Sequence, residues 1–158
     1  ASHYQLYPFI NLGHFSLHEV VDGDFQKTLE SFYQEGIEYT LSKSKTSPFE
    51  VGIPFIWCSN NLAAAVATQA MLYEEMTGST KYRPLMQSHV DWLLGLNPWN
   101  SSMITEIPEN ADTPVDVHMP FWKIYGKSIK GSLVDGPLWA TIHDNMIGVT
   151  PSEPDEYA

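Results

Sequence analysis

Residues 60–78, NNLAAAVATQAMLYEEMTG, run a stripe through Leu62, Ala65, Val66, Gln69, Leu72, Tyr73 and Met76. That is the 3.6-residue repeat of an amphipathic helix. Ser59 or Asn60 stands where a cap can accept from the free N–H groups of the first turn, and Gly78 where a left-handed residue closes the last. A second stripe follows at Tyr82, Leu85, Met86, His89, Trp92, Leu93 and Leu96, with Gly95 near its end. Pro84 fits that helix only in the first turn, where its missing N–H costs nothing. The short Gly-Ser-Thr link makes the two an αα-hairpin. Upstream, residues 25–45 carry Phe25, Leu29, Phe32, Ile37 and Leu41 on one side, with Asp24 as the expected N-cap. Gly36 costs that helix about 1 kcal/mol relative to Ala, which close packing would explain. A short helix is expected over 13–21, and the connector TSPFEVGIPFIWCS, 46–59, joins the two hairpins.

Beyond Leu96 the period is lost. Seven of the eleven prolines lie between 98 and 154, and only a short turn near 139–147 is expected there. The chain therefore reads as all-α, with helical hairpins over 1–96 and a long loop region over 97–158. Loops of that length usually carry function.

Composition narrows the function. The 158 residues hold 8 basic and 19 acidic side chains, a net charge of −11, and the basic residues stand singly. A nucleic-acid backbone or an anionic membrane needs clustered cations, so neither is an expected partner. The longest strictly apolar run, LAAAVA at 62–67, is too short to span a bilayer. With 43% hydrophobic residues the chain can bury a core. Cys58 is the single cysteine, so no intrachain disulfide can form.

No zinc, EF-hand, P-loop or dinucleotide motif is present, and no cofactor or metal is expected. Asp116 with His118 and His143 with Asp144 are pairs that lack further ligands. Cys58 precedes a helix N-terminus, where a thiol pKa falls, but a small buried hydrophobe is the alternative. Glu74, Glu75 and Asp91 read as solvated helix positions, and no local pair of carboxyls identifies itself as glycosidic acid and base. The loop aromatics are harder to dismiss. Trp57, Trp99, Phe121, Trp122, Tyr125 and Trp139 lie outside the helical stripes. They either plug the end of a bundle or stack on the apolar faces of sugar rings.

Particular strings then outweigh composition. GIPFIWCSNNLAAAVATQAMLYEEMTG, DWLLGLNPWNSSMITEIP, DTPVDVHMP, GSLVDGPL and PDEYA occur in that order. Together they resemble the C-terminal half of the catalytic domain of glycoside hydrolase family 9, over about Tyr7 to Ala158. The LLGxNPW-like segment at 93–99 and GSLVDGP at 131–137 are the most specific elements. The resemblance implies part of an (α/α)6 barrel, with a cleft built from loops at one end. It also implies a parent enzyme, secreted or periplasmic, that hydrolyses β-1,4-glucan with inversion, two carboxyls standing about 6.5–9.5 Å apart. It casts Trp57 as a sugar-stacking platform and His118 as a hydrogen-bond partner of a sugar hydroxyl. Asn97, Pro98 and Trp99 become the turn from helix to cleft, and Gly131, Asp135, Gly136 and Pro137 the loop that returns. Trp122 joins the substrate-binding set as a loop aromatic.

Two departures matter. His118 is followed by Met119 and Pro120, where the family often has a second histidine and an arginine. No Asp-x-Gly-Asp occurs, and no Asn is followed by Glu, so the family's base and acid are both missing. The expectation is a catalytic-domain fragment that lines the cleft without turning substrate over. Its partners would be a β-glucan or oligosaccharide, the remainder of the parent domain, and further copies of itself through uncovered helix faces. The alternatives are a carbohydrate-binding helical module without turnover and a helical scaffold without sugar affinity.

Overall fold

The structure, a computed structural model, describes residues 8–111 and 119–145. Six helices lie among them: α1 (Pro8–His18), α2 (Gly23–Ser44), α3 (Ser59–Thr77), α4 (Arg83–Leu93), α5 (Met119–Tyr125) and α6 (Ala140–Asp144). The described residues form no strand, only an antiparallel bridge between Ile104 and Leu133. They divide into two compact units, one made of the chain up to Ile53 with Leu62–Asp91, the other of Pro54–Asn61 with the chain from Trp92 onward.

In the first unit α1 begins at Pro8, whose fixed φ suits a first helical position, and ends at His18. The expected span of 13–21 is thus displaced toward the N-terminus. The Gln26 carboxamide donates to the His18 carbonyl at 2.9 Å, supplying a partner to an acceptor that the helix end leaves free. The His18 ring meets Glu30 at 2.9 Å.

The N-cap of α2 is Asp22, not Asp24: its carboxylate accepts from the Phe25 N–H at 3.0 Å. Asp24 instead lies in the first turn, where its charge complements the helix dipole. The buried face is also rotated from the expected one. Leu29, Tyr33, Gly36, Ile37, Thr40 and Ser44 are inside, while Phe25 and Phe32 are exposed. The cause is the connector, which comes so near the helix that a Cβ on Gly52 would stand 2.1 Å from the Thr40 carbonyl oxygen. Only small residues admit that approach, and the Thr40 hydroxyl is satisfied on the Gly36 carbonyl at 3.2 Å.

The α3 stripe is as its period predicts: Leu62, Ala65, Val66, Gln69, Leu72 and Tyr73 are buried, and Gly78 closes the helix at φ +72. The Gln69 carboxamide donates to the Tyr33 carbonyl, and Tyr82 sets its ring edge against Tyr73 at 5.2 Å while its hydroxyl donates to Glu38 at 2.6 Å. In α4, Pro84 occupies the first turn as required. His89 is fully buried. Its Nε2 accepts from the Gly52 N–H at 3.2 Å, so Nδ1 carries the proton and donates to the Leu85 carbonyl at 2.8 Å. Burial lowers its pKa from 6.5 to about 4, against the opposing pull of the Leu85 carbonyl.

The second helix of the hairpin stops three residues before Leu96, which is exposed. Its last carbonyls are taken by other groups. Trp92 accepts from the Asn97 carboxamide at 2.9 Å and Leu93 from the Met103 N–H at 2.8 Å. The region after it is more regular than its sequence indicates. Helix α5 carries Phe121, Trp122 and Tyr125, where the sequence indicates a loop. The expected turn near 139–147 is α6, with Trp139 at its N-cap.

Candidate functional site

Every predicted site residue that the structure describes belongs to the second unit, and Asn60 is at its centre. Ser59 and Asn60 were expected to cap α3, but both side chains reach the 131–138 loop instead. The Ser59 hydroxyl donates to the Pro137 carbonyl at 2.6 Å. The Asn60 carboxamide donates to the Val134 carbonyl at 3.0 Å, its backbone N–H donates to the Asp135 carbonyl at 3.0 Å, and its Oδ1 accepts from the Trp92 indole at 3.2 Å. Both residues are wholly buried, so each bond satisfies a group that would otherwise be costly to desolvate. Gly136 completes the fit. It adopts φ +95, and a Cβ there would stand 2.5 Å from the Asn60 carboxamide carbon.

The far side of the same loop pairs with residues 103–105. The Val134 N–H donates to the Met103 carbonyl at 2.9 Å and the Thr105 N–H to Ser132 at 2.9 Å. The Thr105 hydroxyl donates to Ile129 at 2.6 Å and accepts from the Ser132 N–H at 3.0 Å. GSLVDGPL is thus held on both sides by backbone bonds.

Asn97 builds the preceding turn. Its Oδ1 accepts from the N–H groups of Trp99 and Ser101 at 3.2 and 3.4 Å, and its Nδ2 donates to Trp92 and Ser101 at 2.9 and 2.8 Å. With both ends of the carboxamide used on the backbone, buried Asn97 positions Trp99. The aromatic rings then form a row: Trp99 meets Trp92 edge-on at 6.2 Å, Trp92 stacks with Phe55 at 5.5 Å, and Phe55 meets Trp139 edge-on at 5.5 Å. Of the inner pair Trp92 is only 2% exposed and Phe55 is half-buried, whereas Trp99 and Trp139 are 42% and 57% exposed. The ends of the row are therefore partly open to solvent.

Trp57 is half-buried at the entry to α3, Trp122 lies on α5, and the Asp135 side chain is exposed. His118 falls outside the described residues, as do the DTPVDVH and PDEYA strings. Cys58 fits neither of its sequence readings. It is exposed, at φ +62, and its thiol is raised by desolvation with a further contribution from Asp135. Proximity to the helix N-terminus is outweighed, so a lowered thiol is not what the geometry yields. His143 meets its neighbour Asp144 at 3.3 Å, and among the described residues no group of three His, Cys, Asp or Glu side chains is arranged to hold a metal ion.

Sequence reasoning missed the structural part of Asn60 and assigned Trp92 to a core stripe alone. The available signal was Gly136 beside Pro137, a glycine whose positive φ marks a tight turn.

The family model of glycosyl hydrolase family 9 matches residues 3–157. The chain belongs to glycosyl hydrolase family 9. No curated protein and no solved structure matches it significantly. As a family 9 chain it is part of the cellulase-type glycoside hydrolases, its helices are those of the (α/α)6 class, and its substrate is a polysaccharide. The segments that carried the resemblance, 93–99 and 131–137, are the ones that Asn97 and Asn60 organise.

Proposed function

We propose that this chain supplies part of the substrate cleft of a β-1,4-glucanase that inverts anomeric configuration, and that both catalytic carboxyls belong to other parts of the parent domain. The single observation that best supports the reading is the row Trp99–Trp92–Phe55–Trp139, whose exposed end rings adjoin both family segments. Indole faces of that kind suit the axial C–H surface of glucose units, and a neutral glucan imposes no charge requirement on an acidic chain. In this reading Trp57, Trp99 and Trp122 stack on sugar rings. Asn97 holds Trp99 in place, His118 bonds a sugar hydroxyl, and the exposed Asp135 carboxylate accepts from another. The division into helical hairpins over 1–96 and cleft-forming loops over 97–158 belongs to the same proposal, as does self-association through exposed helix faces.

The absence of both family carboxyl motifs predicts a binding chain without turnover. Calorimetry with cello-oligosaccharides is expected to show binding that Trp99→Ala weakens about tenfold, consistent with the loss of one stacking ring. The purified chain is expected to release no reducing sugar from soluble cellulose. Sugar release would overturn the assignment of the carboxyls, and the absence of any oligosaccharide binding would overturn the cleft.

A further inference from the structure

Residues 121–131, FWKIYGKSIKG, reverse the charge of the rest of the chain. They hold three of its eight cationic side chains, Lys123, Lys127 and Lys130, and no acidic one, within a net charge of −11. All three lysines are exposed, and none forms an ion pair with a described residue. The carboxylate bonded to this stretch among the described residues is Glu106, which accepts from the Ser128 hydroxyl.

Flat rings alternate with the cations along this stretch. Trp122 and Tyr125 are 36% and 62% exposed, and the Tyr125 ring lies 4.7 Å from that of Phe121. The backbone beneath is fixed. The Gly126 N–H donates to the Trp122 carbonyl at 2.7 Å to end α5, and the Thr105 hydroxyl holds the Ile129 carbonyl at 2.6 Å. Exposed ammonium groups seek anionic oxygens, and indole and phenol faces pack on pyranose rings. Few polymers satisfy both demands at once.

We propose that residues 121–130 are a docking surface for an acidic polysaccharide, a pyranose chain that carries carboxylates. The lysines pair the carboxylates while Trp122 and Tyr125 cover sugar faces. The inference rests on the polysaccharide reading above and extends it from neutral glucan to pyranose chains that also carry charge. An anionic bilayer is the weaker fit, because the seven residues of α5 offer little apolar face for lipid to bury, even with Ile124 exposed.

The test compares a cello-oligosaccharide with an oligoglucuronate of equal length, the same β-1,4 backbone oxidised to a carboxylate at C6. Calorimetry uses the whole 158-residue chain and its Lys123→Gln/Lys127→Gln/Lys130→Gln variant, with circular dichroism to establish that the variant is folded. The oligoglucuronate is expected to bind about tenfold more tightly than the neutral chain, a preference that shrinks as salt rises. The triple variant should lose the preference and keep the neutral affinity. Equal affinity of the native chain for both oligomers would overturn the docking surface and leave the polysaccharide reading standing. Binding of neither would overturn both. Anionic phosphatidylglycerol vesicles held in preference to oligoglucuronate would reassign the surface to lipid and overturn the proposal.

Discussion

The two units of this chain are held together by different physics. In the first, helix faces bury aliphatic and aromatic stripes, and polar side chains add single bonds between elements, as Gln69 does to Tyr33 and His89 to Gly52. In the second, much of the order comes from polar side chains that bond backbone groups, across long sequence separations for Asn60 and Thr105 and within a single turn for Asn97. A helix face tolerates exchange among residues of similar size, because burial is non-directional. A carboxamide with fixed partners does not, because losing it strands buried donors and acceptors. All five tryptophans belong to the second unit, so indole emission reports on it, while ellipticity reports mainly on the long helices α2 and α3.

The sharpest way to break the first unit is Gly52→Ala. Its Cβ would fall 2.1 Å from a backbone oxygen, so the connector must move away from α2. We expect a loss of at least about 4 kcal/mol, an unusually large effect for one methyl group, seen as a lowered urea midpoint by ellipticity. A change under about 1 kcal/mol would show that this contact yields easily. The counterpart in the second unit is Gly136→Ala, which adds left-handed strain at φ +95 to a 2.5 Å clash with the Asn60 side chain. The expected cost is about 3 kcal/mol, read as a shifted midpoint by tryptophan emission. Unaltered emission would mean that the 131–138 loop does not fix the indole row.

The comparison can also be sharpened with pH. The pKa of His89 is lower when folded, about 4, than the ordinary 6.5, so the unfolded chain binds the extra proton between those values. Its contribution is fully present above pH 6.5 and is lost as pH falls toward about 4. Linkage puts the total at about 3 kcal/mol. His89→Gln should flatten the stability slope in that window while lowering stability above it. An unchanged slope would remove His89 from the account. The smallest effect is expected for Phe32→Ser, whose partly exposed ring lies 6.4 Å from the His14 ring of α1, at about 1 kcal/mol by urea unfolding. A drop of about 3 kcal/mol would show that this contact anchors α1 to α2.

How far each region could be read follows from the same contrast. The α3 stripe was legible because one element's periodicity contains all the information needed. The face of α2 was not, because Phe25, Phe32 and Tyr33 offer apolar surface on two sides, and the approach of Gly52 to Thr40 chose between them. The end of α4 was displaced for a similar reason, since the apolar period continues to Leu96 while Asn97 and Met103 claim the carbonyls of Trp92 and Leu93. Of the candidate site, the motif residues were legible as strings. The function of Asn60 was not, since an Asn before an apolar run has the appearance of a helix cap whether or not a loop some 75 residues later takes its hydrogen bonds.

By itself, then, the sequence determined the all-α class, the buried stripe of α3 and membership of family 9. These depend on local period, composition and ordered motifs, which the chain carries without folding. Tertiary structure decided which face of α2 is buried, where α4 stops, that Cys58 is raised and exposed, and that Asn60 and Asn97 hold the aromatic row. Those outcomes depend on which buried polar group finds which partner, and hydrogen bonds between distant segments leave no period in the sequence.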